Sequence, residues 1–185
     1  MANKKNIVRR IKSAVISVSD KSNLKPLLQT LNRYNVKLIS SGGTFKAIRK
    51  LGYRCLEVSD YTGFNEILDG RVKTLHPKIH AGILNKRNNN SHKREIKKNN
   101  FQNIDLVIVN FYPFEKTLNT TKNHNKIIEK IDIGGPALVR SAAKNYNDVA
   151  VITSTNQYSA LIDQLKRFKG ATKLEFRKKL SQSAF

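Results

Sequence analysis

Hydroxyls, glycines and single cations recur in this sequence where apolar runs end, and together those residue types suit a phosphate. Ser17-Val18-Ser19-Asp20-Lys21 closes one run. Strand alternation puts its two hydroxyls on one side, with an ammonium close behind. Ser40-Ser41-Gly42-Gly43-Thr44 closes the next run. Its glycines let the backbone approach an anion closely, and its amides and the Thr44 hydroxyl can donate to it. Either loop alone also reads as an ordinary turn or helix cap; on neighbouring strands the two would form a phosphate pocket. Neither carries the glycine spacing of a dinucleotide or P-loop site.

Three further stretches carry chemistry. Gly70-Arg71-Val72-Lys73-Thr74-Leu75-His76-Pro77-Lys78-Ile79-His80 would point Arg71 and Lys73 the same way if extended. The spacing of His76 and His80 could serve a metal on a helix, but Pro77 argues against a regular helix between them. No Glu follows the first His and no cysteine stands nearby, so no metal is expected. Asn110 and Tyr112, in Asn110-Phe111-Tyr112-Pro113-Phe114, offer an amide and a phenol to a heterocycle, or else form a packed aromatic corner. Ile131-Asp132-Ile133-Gly134-Gly135-Pro136 sets a carboxylate before the exposed amides of a helix start, and Lys144 follows farther along that helix.

The elements that must position these loops alternate. Strands are predicted at 13–19, 36–41, 54–59, 105–110 and 149–153. Helices are predicted at 44–51, 136–144 and 158–168, and another where Leu24, Leu27, Leu28 and Leu31 recur at helical spacing behind Ser22 as a cap. A last charged helix spans 172–185. Such alternation predicts an α/β domain with a mainly parallel central sheet and helices on both faces, a Rossmann-like three-layer arrangement. In it, ligands sit beyond the carboxyl ends of the strands, where the loops above fall.

Composition sets outer bounds. The 185 residues are 39% hydrophobic and 26% charged, as in one ordinary globular domain. The one cysteine, Cys55, excludes an intrachain disulfide and reads as a structural thiol in a reducing compartment. No apolar run reaches the ~20 residues of a membrane helix, and no signal peptide is read, so the expectation is cytoplasmic with no membrane partner. Thirty-five Lys and Arg against 13 Asp and Glu give a net charge of +22. The cations are scattered along the chain rather than gathered in an arm or one helix. That pattern favours compositional drift plus an anionic small substrate over specific nucleic-acid binding.

The stretches ISVSDKSNL, SSGGTFKAI, EVSDYTGFNEILDGRVKTLHPKIHAGIL, DLVIVNFYPFEKT and IEKIDIGGPALVRSAAKNYNDVAVI closely resemble one family. It is the IMP cyclohydrolase domain of the bifunctional purine-biosynthesis protein, whose other activity is an AICAR transformylase. The unmatched parts are the basic N-terminus and the Asn/Lys-rich stretches near 88–100 and 119–126.

The resemblance implies a methylglyoxal-synthase-like fold and ring closure of 5-formamidoimidazole-4-carboxamide ribotide to IMP. By motif, Ser17, Ser19, Lys21, Ser41, Gly43 and Thr44 would hold the substrate phosphate. Arg71, Thr74, Asn110, Ile133, Gly134 and Gly135 would line ribose and base, and Lys73, Tyr112, Asp132 and Lys144 would be catalytic. Lys144 would keep Asp132 ionised. The cyclohydrolase would occupy 1–170, with 171–185 starting a connection to an absent transformylase domain. No cofactor is implied for the ring closure; 10-formyltetrahydrofolate belongs to the absent domain, and the full-length protein would be a homodimer. Competing readings are a lyase of small phosphorylated sugars, a nucleotide-sensing module without chemistry, and a basic nucleic-acid binder.

Overall fold

The protein is described here by a computed structural model covering residues 7–111, 119–120 and 122–184. Five parallel strands form its centre in the order β4-β3-β2-β5-β6: β2 is Ser13–Val18, β3 Lys37–Ser40, β4 Leu56–Glu57, β5 Leu106–Asn110 and β6 Ala150–Ile152. β2 and β5 are buried almost throughout, as strands covered on both faces must be, which explains their unbroken apolar sequences. Ala14 lies opposite Leu106, and Val18 opposite Asn110, so the tips of these two central strands end level.

The helices are α1 Leu24–Arg33, α2 Gly42–Lys50, α3 Val58–Thr62, α4 Pro77–Leu84, α5 Asn90–Lys98, α6 His124–Ile128, α7 Gly134–Lys144, α8 Tyr158–Arg167 and α9 Leu174–Ser183. α1 packs with α8, and α4 and α9 with α7. The spacing of Leu24, Leu27, Leu28 and Leu31 gives α1 one apolar face, and all four are buried. Its cap differs from expectation. Asn23, in the left-handed region at φ 56°, precedes the helix, while the Ser22 hydroxyl donates to Asp20.

The strand expected over 54–59 is only two residues long. It sits at the sheet edge with one partner, and Val58 and Tyr61, one helical turn apart, bury themselves by turning into α3. Pro77 occupies the first position of α4, where no amide donor is lost, and His76 caps it by accepting from the Lys78 amide. The histidine pair therefore straddles a helix start.

A second, antiparallel pair joins β1 (Val8–Arg10) to β7 (Ala171–Lys173). From it α9 runs back over β6 and α7. Arg177 is fully buried there. Its guanidinium donates to the carbonyls of Tyr146 at 3.0 Å, Asn147 at 2.9 Å and Thr172, so it ties β7 and α9 to the end of α7. Arg177→Ala strips three carbonyls of their donor and should cost about 3 kcal/mol in urea unfolding; a loss below about 1 kcal/mol would contradict this role.

Candidate functional site

The predicted loops meet at the carboxyl edge of the sheet. β3 ends at Ser40, and Ser41 leads into α2 with an extended backbone and no capping bond from its own side chain. The amides of Gly42 and Gly43 open the helix, with Gly42 at φ 53° in the left-handed region where glycine is at ease. A β-carbon on Gly43 would meet nothing within 4 Å, so this turn is open to a ligand.

Thr44 does something other than expected. It is buried, and its hydroxyl both donates to the Val18 carbonyl and accepts from the Val18 amide, each at 3.0 Å. The hydroxyl is thus engaged in holding α2 against the tip of β2; only its backbone amide is left for an anion.

Asn110 is diverted in the same way. Its side-chain oxygen accepts from the amides of Ser19 at 2.7 Å and Asp20 at 2.9 Å, and its nitrogen donates to the Asp20 carbonyl at 2.8 Å. The carboxamide expected to read a base instead clamps the Ser19–Lys21 loop to β5. Lys21 turns its ammonium to the carbonyls of Val18 and Ser19. Beneath this clamp lies Tyr158, whose phenol is pushed up to about 12 by burial and by the Asp20 charge.

A second cluster adjoins the first. The Lys73 ammonium lies 3.8 Å from where a β-carbon on Gly42 would stand. The next residue, Thr74, is buried with its hydroxyl directly against Gly134 at the start of α7, where a β-carbon would overlap it. Asp132 accepts from the Gly135 amide at 2.9 Å, and its second oxygen sits where a Gly135 β-carbon would be. Phe111 closes on the same glycine. Lys73 and Thr74 therefore join the helix start that offers amides to the one that presents a carboxylate, and the Gly-Gly pair is dictated by close approach.

Three expectations fare differently. Arg71 is mostly exposed and pairs with Glu129 at 3.7 Å. Lys144 ends α7 while Asp132 precedes it; ten residues of rise separate Gly134 from Lys144, about 15 Å. Among the described residues no salt bridge joins the two, so the expected ion pair is not made within one protomer. Tyr112 lies outside the described residues. Ile133 is exposed at the mouth, and Ser17 is half-buried in β2. Burial pushes the Cys55 thiol up to about 12, well outside nucleophilic use.

Sequence reasoning missed two neighbours. The Glu66 carboxylate and the Lys73 ammonium stand 3.5 and 3.6 Å from one point, the would-be β-carbon of Gly70. His80 meets the Ser141 hydroxyl at 2.9 Å, across α4 and α7, with its ring beside Thr74. Nothing in their spacing announces either contact. Among the described residues no group of His, Cys, Asp or Glu could hold a metal ion.

The MGS-like domain family matches residues 23–137, well over half of the chain. The chain belongs to the MGS-like domain family. A later segment, 142–185, matches the AICARFT/IMPCHase bienzyme family. Curated relatives of this MGS-like chain include the bifunctional purine biosynthesis protein PurH of Clostridioides difficile, 49% identical over 94% of this chain and 34% of the relative. That of Prochlorococcus marinus is 53% identical over 93% and 33%. The chain thus spans about a third of these relatives' length. A solved structure titled "Crystal structure of ForH" superposes with a TM-score of 0.83 at 32% identity, covering 95% of this chain and 92% of that one. No helix among the described residues is long and apolar enough to cross a membrane.

Two measurements test this geometry. Gly134→Ala should lower the melting midpoint by about 5 °C through overpacking against Thr74, whereas Gly43→Ala should leave it unchanged or slightly higher. Equal effects would refute the close approach. Burial lowers the His80 pKa below its usual 6.5, so the unfolded chain binds that proton more readily. This contribution is fully present above pH 6.5 and is lost as pH falls below it. His80→Gln should therefore flatten the fall in stability between pH 7.5 and 5.5, and an unchanged slope would exclude His80 as its source.

Proposed function

We propose that this domain is an IMP cyclohydrolase, closing 5-formamidoimidazole-4-carboxamide ribotide to IMP and water in purine biosynthesis. The observation that carries the reading is the junction at Lys73-Thr74, which sets the Asp132 carboxylate and the amides of Gly42 and Gly43 around one strand edge. A nucleotide bound by its phosphate at the start of α2 would extend its ring toward the start of α7. The name of the PurH relatives supports the pathway.

Both reacting groups belong to one molecule, so the site chiefly has to hold a folded conformer in which they touch. The carboxamide nitrogen attacks the formyl carbon and a C–N bond forms. The departing water takes the formyl oxygen with one proton from the carboxamide nitrogen and one from the formamide nitrogen. Asp132 keeps one oxygen on the Gly135 amide, and its other oxygen accepts the carboxamide proton. Lys73, together with Tyr112, stabilises the charge that develops on the formyl oxygen. No step in this scheme calls on a metal or organic cofactor. Formyl transfer from 10-formyltetrahydrofolate, and the homodimer, are assigned to the longer protein that the relatives represent.

The test is direct. The purified chain, mixed with the formylated ribotide, should produce IMP by its absorbance, and Asp132→Asn or Lys73→Ala should each slow this about a hundredfold. Unchanged rates in both variants would remove these residues from the chemistry. Turnover of dihydroxyacetone phosphate with none of the ribotide would replace the reading with a lyase.

A further inference from the structure

A second concentration of charge lies at the opposite, amino edge of the sheet. From Ser13 to Val18 the strand runs about 16 Å, so this region is separate from the loops described above. Two contiguous hollows of about 430 and 860 Å³ share Arg87, Ile96, Phe101 and Asn103. α5 contributes Lys93, Ile96 and Lys97 to their lining, and none of its residues is fully buried. Together the hollows exceed the ~300–1,000 Å³ of a small-ligand pocket.

Arg10, Lys12, Lys37, Lys93 and Lys97 line this groove, all exposed. None has an acidic partner among the described residues. Three acids stand nearby and all are engaged: Glu95 on α5 accepts from the Ser91 hydroxyl at 3.1 Å. Asp105 accepts from the amides of Lys12 and Ser13 and pairs with Arg87 at 3.5 Å. Asp148 pairs with Arg9 at 2.8 Å and accepts from the Arg87 amide. Cations that lie far apart in sequence are thus gathered by β1, the turn into β2, β3 and α5 into one strip in which they outnumber the acids. Two half-buried rings, Tyr34 and Phe101, border the same groove.

We propose that this groove binds single-stranded nucleic acid, independently of sequence. Lysines follow the phosphates, releasing counterions, while the rings accept unstacked bases. A duplex would offer the phosphates but hide the base faces, and an acidic peptide would use the lysines but not the rings. The small-substrate expectation drawn from scattered charge is thereby extended, because scatter in sequence has become a cluster in space.

The experiment is fluorescence anisotropy of a labelled mixed-sequence RNA of 12 nucleotides with the 185-residue chain. One variant carries Lys12→Gln, Lys93→Gln and Lys97→Gln. A control carries Lys126→Gln, Lys178→Gln and Lys179→Gln, exposed lysines outside the groove that remove the same charge. Circular dichroism verifies that both fold. The groove variant should bind at least tenfold more weakly, with a salt-dependence slope shallower by about 2, as about 0.7 per lost phosphate contact requires. The control should lose less than threefold. Equal losses in the two variants would mean diffuse attraction by net charge and would overturn the proposal. So would no loss in either, or displacement of the RNA by a polyglutamate peptide of equal charge at equal affinity.

Discussion

Two side chains hold the tips of β2 and β5 and the start of α2 together, and everything at the carboxyl edge depends on them. Thr44 ties the start of α2 to the end of β2 through both functions of its hydroxyl. Asn110 ties the end of β5 to the loop after β2 through both ends of its carboxamide. Each bond contributes only about 1 kcal/mol net, but a loosened clamp would leave several backbone groups without partners. Because these side chains bond backbone, the first amides of α2, those of Gly42 and Gly43, are left without a partner inside the helix, and the Ser41 side chain makes no capping bond. The preorganisation that an anion would need is thus supplied by side chains that would not touch it.

The second half of the site is built by close approach rather than by clamps. Thr74 and the Asp132 carboxylate occupy the space where side chains on Gly134 and Gly135 would be. Backbone contact of this kind fixes the distance between the loop carrying Lys73 and the helix start presenting Asp132. It also explains why two adjacent glycines begin a helix, a place where they add little to helix stability.

Much of this was legible in the sequence, and the failures have physical causes. Long apolar runs announced β2 and β5 because both faces of those strands are covered, and leucine spacing announced α1. The glycine and hydroxyl loops marked the strand ends. That the side chains of Thr44 and Asn110 bond backbone was not legible, because residue type cannot say whether a polar group faces outward or its own backbone. β1 and β7 escaped notice since each is three residues long and finds its partner across most of the chain. The length of α7 keeps Lys144 from Asp132 within one protomer, and the basic groove was invisible because its lysines converge only after folding.

The central claim is that a nucleotide's phosphate sits at the start of α2 while its ring meets Asp132. A crystal structure of the chain with IMP tests this most directly. The account predicts phosphate oxygens within hydrogen-bond distance of the Gly42 and Gly43 amides, and the base beside Asp132 and Gly135. IMP bound only in the groove under α5, or with its base turned away from Asp132, would contradict it.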